Sequence, residues 1–268
     1  MDWLTEAQLD NLVYWAGRTA ETQQKLTEQG IKAADAQMRK QYTRAMESII
    51  GQFVATYEHL LARAEEGHVT PADLYKLDKY WQMQAQLQRR LQALGDWQTV
   101  YLGRAFERQY MAIYEALAMP GAAAFSTIET AAARQIVNQI WCADGKSWSA
   151  RIWHNTEALR DELNEKLLEC VISGRKPTFL RDALMERFNV SYYKANRVIQ
   201  TEMAHIQTQA AQQRYKDMGV TEMEFWADPD ERTCDVCGRL HKKRYNIHDI
   251  APIPAHPNCR CCLLPVVV

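Results

Sequence analysis

Five of the seven cysteines fall between Cys234 and Cys262, and a histidine stands three residues before one of them. Cys234 and Cys237 form a C-x2-C pair; His256 and Cys259 form an H-x2-C pair with Cys261 and Cys262 directly behind it. C-x2-C presents two thiolates from one tight turn, and Gly238 lets the backbone bend immediately after it. The second pair follows from a proline-rich stretch after eighteen intervening residues, 238–255. A segment this poor in apolar residues cannot order itself by burial, whereas a tetrahedral zinc ion would do so. The expected ligands are Cys234, Cys237, His256 and Cys259, with Cys261 or Cys262 as substitutes and His241 and His248 as competing nitrogen donors. Four protein ligands close such a site, so the expected role is structural and not catalytic. A metal-free reading stays open: reduced, buried cysteines with a histidine hydrogen-bonded to the backbone.

Other chemistry is not indicated. There is no H-E-x-x-H, and no H-x-E precedes the C-x2-C pair, so neither metalloprotease nor zinc-deaminase patterns are met. Ser147, Ser191 and the histidines form no nucleophile elbow or triad. The expectation is a non-enzymatic protein with no small-molecule substrate. Residues 232–260 hold six Lys or Arg against two acids. Arg239, Lys242, Lys243 and Arg244 are therefore candidate nucleic-acid contacts through phosphate, in competition with a plain solvated loop.

The elements that must position these residues are helical. Of 268 residues, 47% are hydrophobic and 24% charged, enough for about two domains with cores of their own. Net charge is -1, which implies no global attraction to DNA or membranes. No basic-then-apolar leader opens the chain, and no stretch approaches the ~20 apolar residues of a membrane span. Seven cysteines in that setting point to a reducing compartment.

Apolar spacings of three and four predict helices over 3–29, 33–64, 70–94 and 97–118, with Gly30, Gly67 and Gly95 as breaks. Thr70 followed by Pro71 is a helix start. Such stripes are first of all helix packing, and they also suit docking on a partner. Ser126 and Glu129 read as a capping box. Helices follow over 148–170, capped by Gly174, then over 179–188 and 191–218. Residues 222–227 alternate like a strand, and the prolines beyond make the tail irregular or β-rich.

Several pieces, taken in order, resemble the Mu F-like head morphogenesis (minor head or minor capsid) proteins of tailed bacteriophages. They are DGKSWSARIWHN (144–155), RVIQTEMAHIQTQA (197–210) with its Arg-x-x-x-Thr-Glu, WADPDERTCDVCGRLHKK (226–243) and HPNCRC (256–261). Each piece is modest alone; together, in this order and at this spacing, they are specific. Leu240-His241-Lys242 departs from the Leu-Asp-Gly common in that family. Among the matched polar residues, Arg197 and Glu202 lie on one helix within reach of the tail, and Asp230 and Arg232 flank the first cysteine turn as candidates to brace it.

The expectation is thus a mainly α protein. It has a long-helix N-terminal region (1–121) for packing or portal docking, a helical middle (122–219) and a small irregular or β, Cys/His-rich, zinc-binding module (220–268). The resemblance implies a minor structural protein of a phage or prophage particle, with portal or capsid proteins as partners and DNA as a further one. It also implies residence in the virion, at the capsid interior or portal vertex, after assembly in the host cytoplasm. A zinc-ribbon nucleic-acid-binding protein is the alternative.

Overall fold

In the computed structural model the described residues are 6–64, 69–118, 130–142, 144–227, 231, 233–249 and 253–266. The expected capping box at Ser126 and Glu129, and the break at Gly67, lie outside them. In chain order come α1 (Glu6–Leu61), α2 (Pro71–Tyr75), α3 (Asp78–Ala116), α4 (Thr130–Val137), α5 (Trp148–Ser173), α6 (Pro177–Asp217), β1 (Glu222–Trp226), α7 (Asp235–Leu240), β2 (Arg244–Asn246) and β3 (Cys262–Val266). The protein is mainly helical, with one small C-terminal sheet.

Local chemistry sets several helix ends. Thr70 and Asp73, on either side of Pro71, form a reciprocal capping box, satisfying donors that the first turn leaves open. The Ser147 hydroxyl accepts from the Ala150 amide and starts α5, and Gly174, left-handed at φ 60, ends it. α2 stops after five residues, and α3 starts afresh at Asp78.

Two expected breaks are absent. Gly30 lies inside α1 and Gly95 inside α3. A Cβ on Gly30 would come 2.3 Å from Oε1 of Gln109, and one on Gly95 would come 2.5 Å from the Trp153 ring. These glycines admit a neighbour to the helix surface and do not end the helix. The expected helices 179–188 and 191–218 are likewise one, α6, in which the Ser191 carbonyl accepts from Asn155 Nδ2 at 2.8 Å.

The chain divides into two compact units: Met1–Ala34 with Leu102–Trp141 and Arg197–Val268, and Asp35–Tyr101 with Cys142–Asn196. In the second unit, Met38, Ile49 and Phe53 of α1, Leu87 of α3, Ile152 and Leu163 of α5, and Leu180 and Leu184 of α6 are buried. On α1, α5 and α6 these residues recur at intervals of four or eleven, which keeps them on one face as helix packing requires. Tyr57 Oη donates to the carbonyls of Cys170 at 2.9 Å and Arg175 at 2.6 Å, fastening the end of α5.

The first unit carries the sheet. Its order is β2-β1-β3, antiparallel throughout, with Met223 opposite Tyr245 and Trp226 opposite Cys262. Met223, Phe225 and Ala227 point inward, which is the two-residue period read from the sequence. Buried amides hold the sheet and its loops on the helices. Gln23 Nε2 donates to the Leu263 carbonyl at 2.8 Å and to Tyr215 Oη at 3.2 Å, and Tyr215 Oη donates to the same carbonyl at 3.0 Å. Gln212 Nε2 donates to the carbonyls of Ile247 and Asp249 at 2.7 and 2.8 Å. In a low-dielectric interior each such bond also removes the cost of a bare backbone carbonyl.

Candidate metal centre

Cys234 is the N-cap of α7, with extended backbone, and its Sγ accepts from the Cys237 amide at 3.4 Å. The Gly238 amide donates to the Cys234 carbonyl at 2.9 Å. This turn places both thiols of the C-x2-C pair on one side of the short helix. The H-x2-C pair is made by a second turn, in which the Cys259 amide donates to the His256 carbonyl at 3.2 Å. His256 Nδ1 donates to the Pro257 carbonyl at 2.8 Å, which leaves Nε2 as the lone-pair nitrogen.

The two turns meet. Nε2 of His256 lies 3.2 Å from the Sγ of Cys234 and 3.2 Å from that of Cys237, and the sulfurs of Cys237 and Cys259 are 3.8 Å apart. The donors form two triads, Cys234–Cys237–His256 and Cys237–Cys259–Cys261, each with its donor atoms within 4.8 Å of one another. Cys237 is common to both. The second triad is buried, whereas Cys234 and His256 are half-buried. The cluster has the donor atoms, spacing and burial to hold a metal ion.

Electrostatics make the thiols unequal. Backbone donation from Cys237 lowers the pKa of Cys234, and hydrogen bonding from Cys261 holds Cys259 down at about 5. Burial pushes Cys237 up to about 12, and the hydrogen bond to Cys259 pushes Cys261 upward. His256 is raised by its bond to the Pro257 carbonyl. Negative charge thus concentrates on Cys259, and a bound cation would draw it onto the other ligating thiols as well.

All four expected ligands and Cys261 come together here. Cys262 does not: it packs in a core with Ala20 and Leu264, against which Trp226 lies. Of the competing histidines, His241 accepts from the Ala227 amide at its Nδ1, 3.2 Å away, and meets Trp226 edge-on. His248 is exposed. Asp230 and Arg232 lie outside the described residues. Arg197 is exposed on α6, and Glu202, buried, accepts from Trp141 Nε1 at 3.0 Å.

The basic candidates run from Arg239 in α7 through Lys242 and Lys243 in the turn to Arg244 at the start of β2. Arg239, Lys242, Lys243 and Arg244 are all exposed. Arg244 faces Glu222 and Glu224, both at 3.9 Å. The turn is pinned to β1: the Lys242 amide donates to the Phe225 carbonyl and the Phe225 amide to the Lys243 carbonyl, each at 2.8 Å.

Sequence reasoning missed the glutamines that seat the module, Gln23, Gln207 and Gln212. Gln207 Nε2 donates to the Cys261 carbonyl at 3.4 Å. All three are buried, which their polar side chains give no sign of in the sequence. It missed the Trp141–His205 pair too, whose rings stack at 4.3 Å.

Residues 161–264 match the model of the family described as Phage Mu protein F like protein. The match covers the metal cluster, all of α6 and the sheet apart from the last two residues of β3. No curated protein and no solved structure matches.

Proposed function

We propose, from the match of residues 161–264 to the Phage Mu protein F like family, a minor structural protein that acts in phage head morphogenesis. The observation that carries this is the family match spanning the whole donor cluster together with most of the sheet beside it. Its partners are the portal protein and neighbouring capsid proteins, and its place is the virion after assembly in the host. Among the described residues no helix is long and apolar enough to cross a membrane. The role is non-enzymatic: the donor cluster closes a site instead of opening one to substrate.

The ion is a structural zinc. A borderline-soft cation takes thiolates and an imidazole, and two sulfurs bound to one tetrahedral zinc stand ~3.8 Å apart. The sulfurs of Cys237 and Cys259 have that separation, 3.8 Å. Cys234, Cys237, His256 and Cys259 complete the four positions. The ion staples the turns before β2 and β3 into one module.

The test is particle assembly with the full chain. Cys237→Ser should lose the ion and fail to enter heads that the parent enters, scored by mass spectrometry of purified particles. Normal incorporation of a metal-free variant would break the link between centre and assembly. Co-purification of the parent with portal rings tests the partner, and its absence under conditions that retain other head proteins would count against portal docking.

A second reading, nucleic-acid binding by the module, is favoured by one observation. Arg239, Lys242 and Lys243 are exposed and have no ion-pair partner among the described residues. A triple alanine variant would then lower DNA affinity and flatten its salt dependence by up to about three charges. An unchanged salt slope would reject it.

A further inference from the structure

The cluster offers five donors, and a single tetrahedral ion takes four. Cys261 and Cys262 are adjacent in sequence, yet only Cys261 belongs to the cluster; Cys262, the first residue of β3, packs in the core with Ala20 and Leu264. We propose that Cys261 is a resident replacement ligand, which keeps the ion in place when His256 leaves it. The proposal rests on the metal-centre reading above.

The geometry supports this in three ways. His256 and Cys261 sit in different triads that share Cys237, so each lies within 4.8 Å of the same central sulfur. The two are also held differently. Beyond the cluster, the polar contact of the His256 ring among the described residues is its Nδ1 bond to the next residue's carbonyl. Cys261 directly precedes β3, its carbonyl accepts from Gln207, and the residue after it is in register with Trp226 across the sheet. Finally, Cys261 is buried and His256 half-buried. The histidine is the outer, loop-borne donor and the cysteine the inner one, directly before β3. Exchange needs no new side chain to enter: a three-sulfur, one-nitrogen set becomes a four-sulfur set, and both are ordinary for zinc. The consequence is a module whose His256 loop can be drawn away, by a partner or by substitution, without release of the ion.

Full-length protein is purified without chelator and assayed for zinc by elemental mass spectrometry. Cobalt replacement adds a count of bound thiolates from sulfur-to-cobalt charge-transfer absorption. His256→Ala should keep stoichiometric zinc, with apparent affinity reduced by no more than the ~10–100-fold that losing a supporting group costs. Its charge-transfer intensity should rise by about a third as three thiolates become four. Cys261→Ser alone should keep the parent spectrum, whereas His256→Ala with Cys261→Ser should lose the ion. Cys262→Ser is the control for an adjacent cysteine. Helical circular dichroism checks that each variant folds. Loss of zinc from a folded His256→Ala variant, or its retention in the double variant, overturns the proposal while leaving the centre itself intact. A folded parent that binds no zinc or cobalt overturns both.

Discussion

Gly95 lies against Trp153 so closely that a Cβ would stand 2.5 Å from the ring. Gly95 is within α3 and Trp153 within α5, so the glycine fixes how near the indole comes to the α3 backbone. Gly95→Ala gains ~1 kcal/mol of helix propensity. Overpacking at such a contact costs about 1–3 kcal/mol. The expected outcome is net destabilisation, read as a lower urea midpoint with unchanged slope. A midpoint at or above the parent's would mean that the ring simply moves aside.

Removing the ion should act locally. A chelator, or Cys237→Ser, should expose 231–261 to protease, because the turns before β2 and β3 lose their common anchor. The helical dichroism should hardly change, since α1, α3, α5 and α6 carry most of the helical residues. Peptide mapping of early cleavage sites checks this. Early cuts within the long helices instead would show that the ion supports the whole fold.

Gln212 holds the Ile247–Asp249 turn by two carbonyl contacts. Gln212→Leu keeps the side-chain bulk but leaves both carbonyls without that donor, at a cost of about 1–3 kcal/mol. Hydrogen exchange at 244–249 should accelerate while α6 stays protected. Equal exchange in variant and parent would mean the turn is held elsewhere.

His205 makes folding sensitive to acid. Burial lowers its pKa from 6.5 to about 4. The native state therefore binds fewer protons than the unfolded chain between these values. Stability from this group is fully present above pH ~6.5 and is lost as pH falls toward 4, by roughly 3 kcal/mol in all. His205→Phe keeps a ring to stack on Trp141 and removes the titration. Its unfolding free energy should fall less steeply than the parent's between pH 6.5 and 4. Parallel curves would rule out a buried neutral His205.

The parts of this protein that sequence alone determined are those decided within one or two turns of chain. Thr70 with Asp73, Ser147 and Gly174 cap helices through bonds to residues no more than four away. Spacing alone also brought Cys234 beside Cys237 and His256 beside Cys259. The apolar stripes gave the mainly helical class, and alternation gave β1.

Tertiary structure decided what depends on a neighbour far along the chain. Gly30 and Gly95 read as breaks because glycine is a poor helix former. Gln109 and Trp153 instead occupy the space that a Cβ would take inside a helix. Gln23, Gln207 and Gln212 read as ordinary polar positions until the carbonyls of Leu263, Cys261 and Ile247 arrived to occupy them. Cys261 and Cys262 were equivalent in sequence. Which of them joins the metal cluster was set by where β3 begins to pair with β1: Cys262 lies opposite Trp226 and packs with Ala20 and Leu264, and Cys261, just before the strand, is left to the cluster.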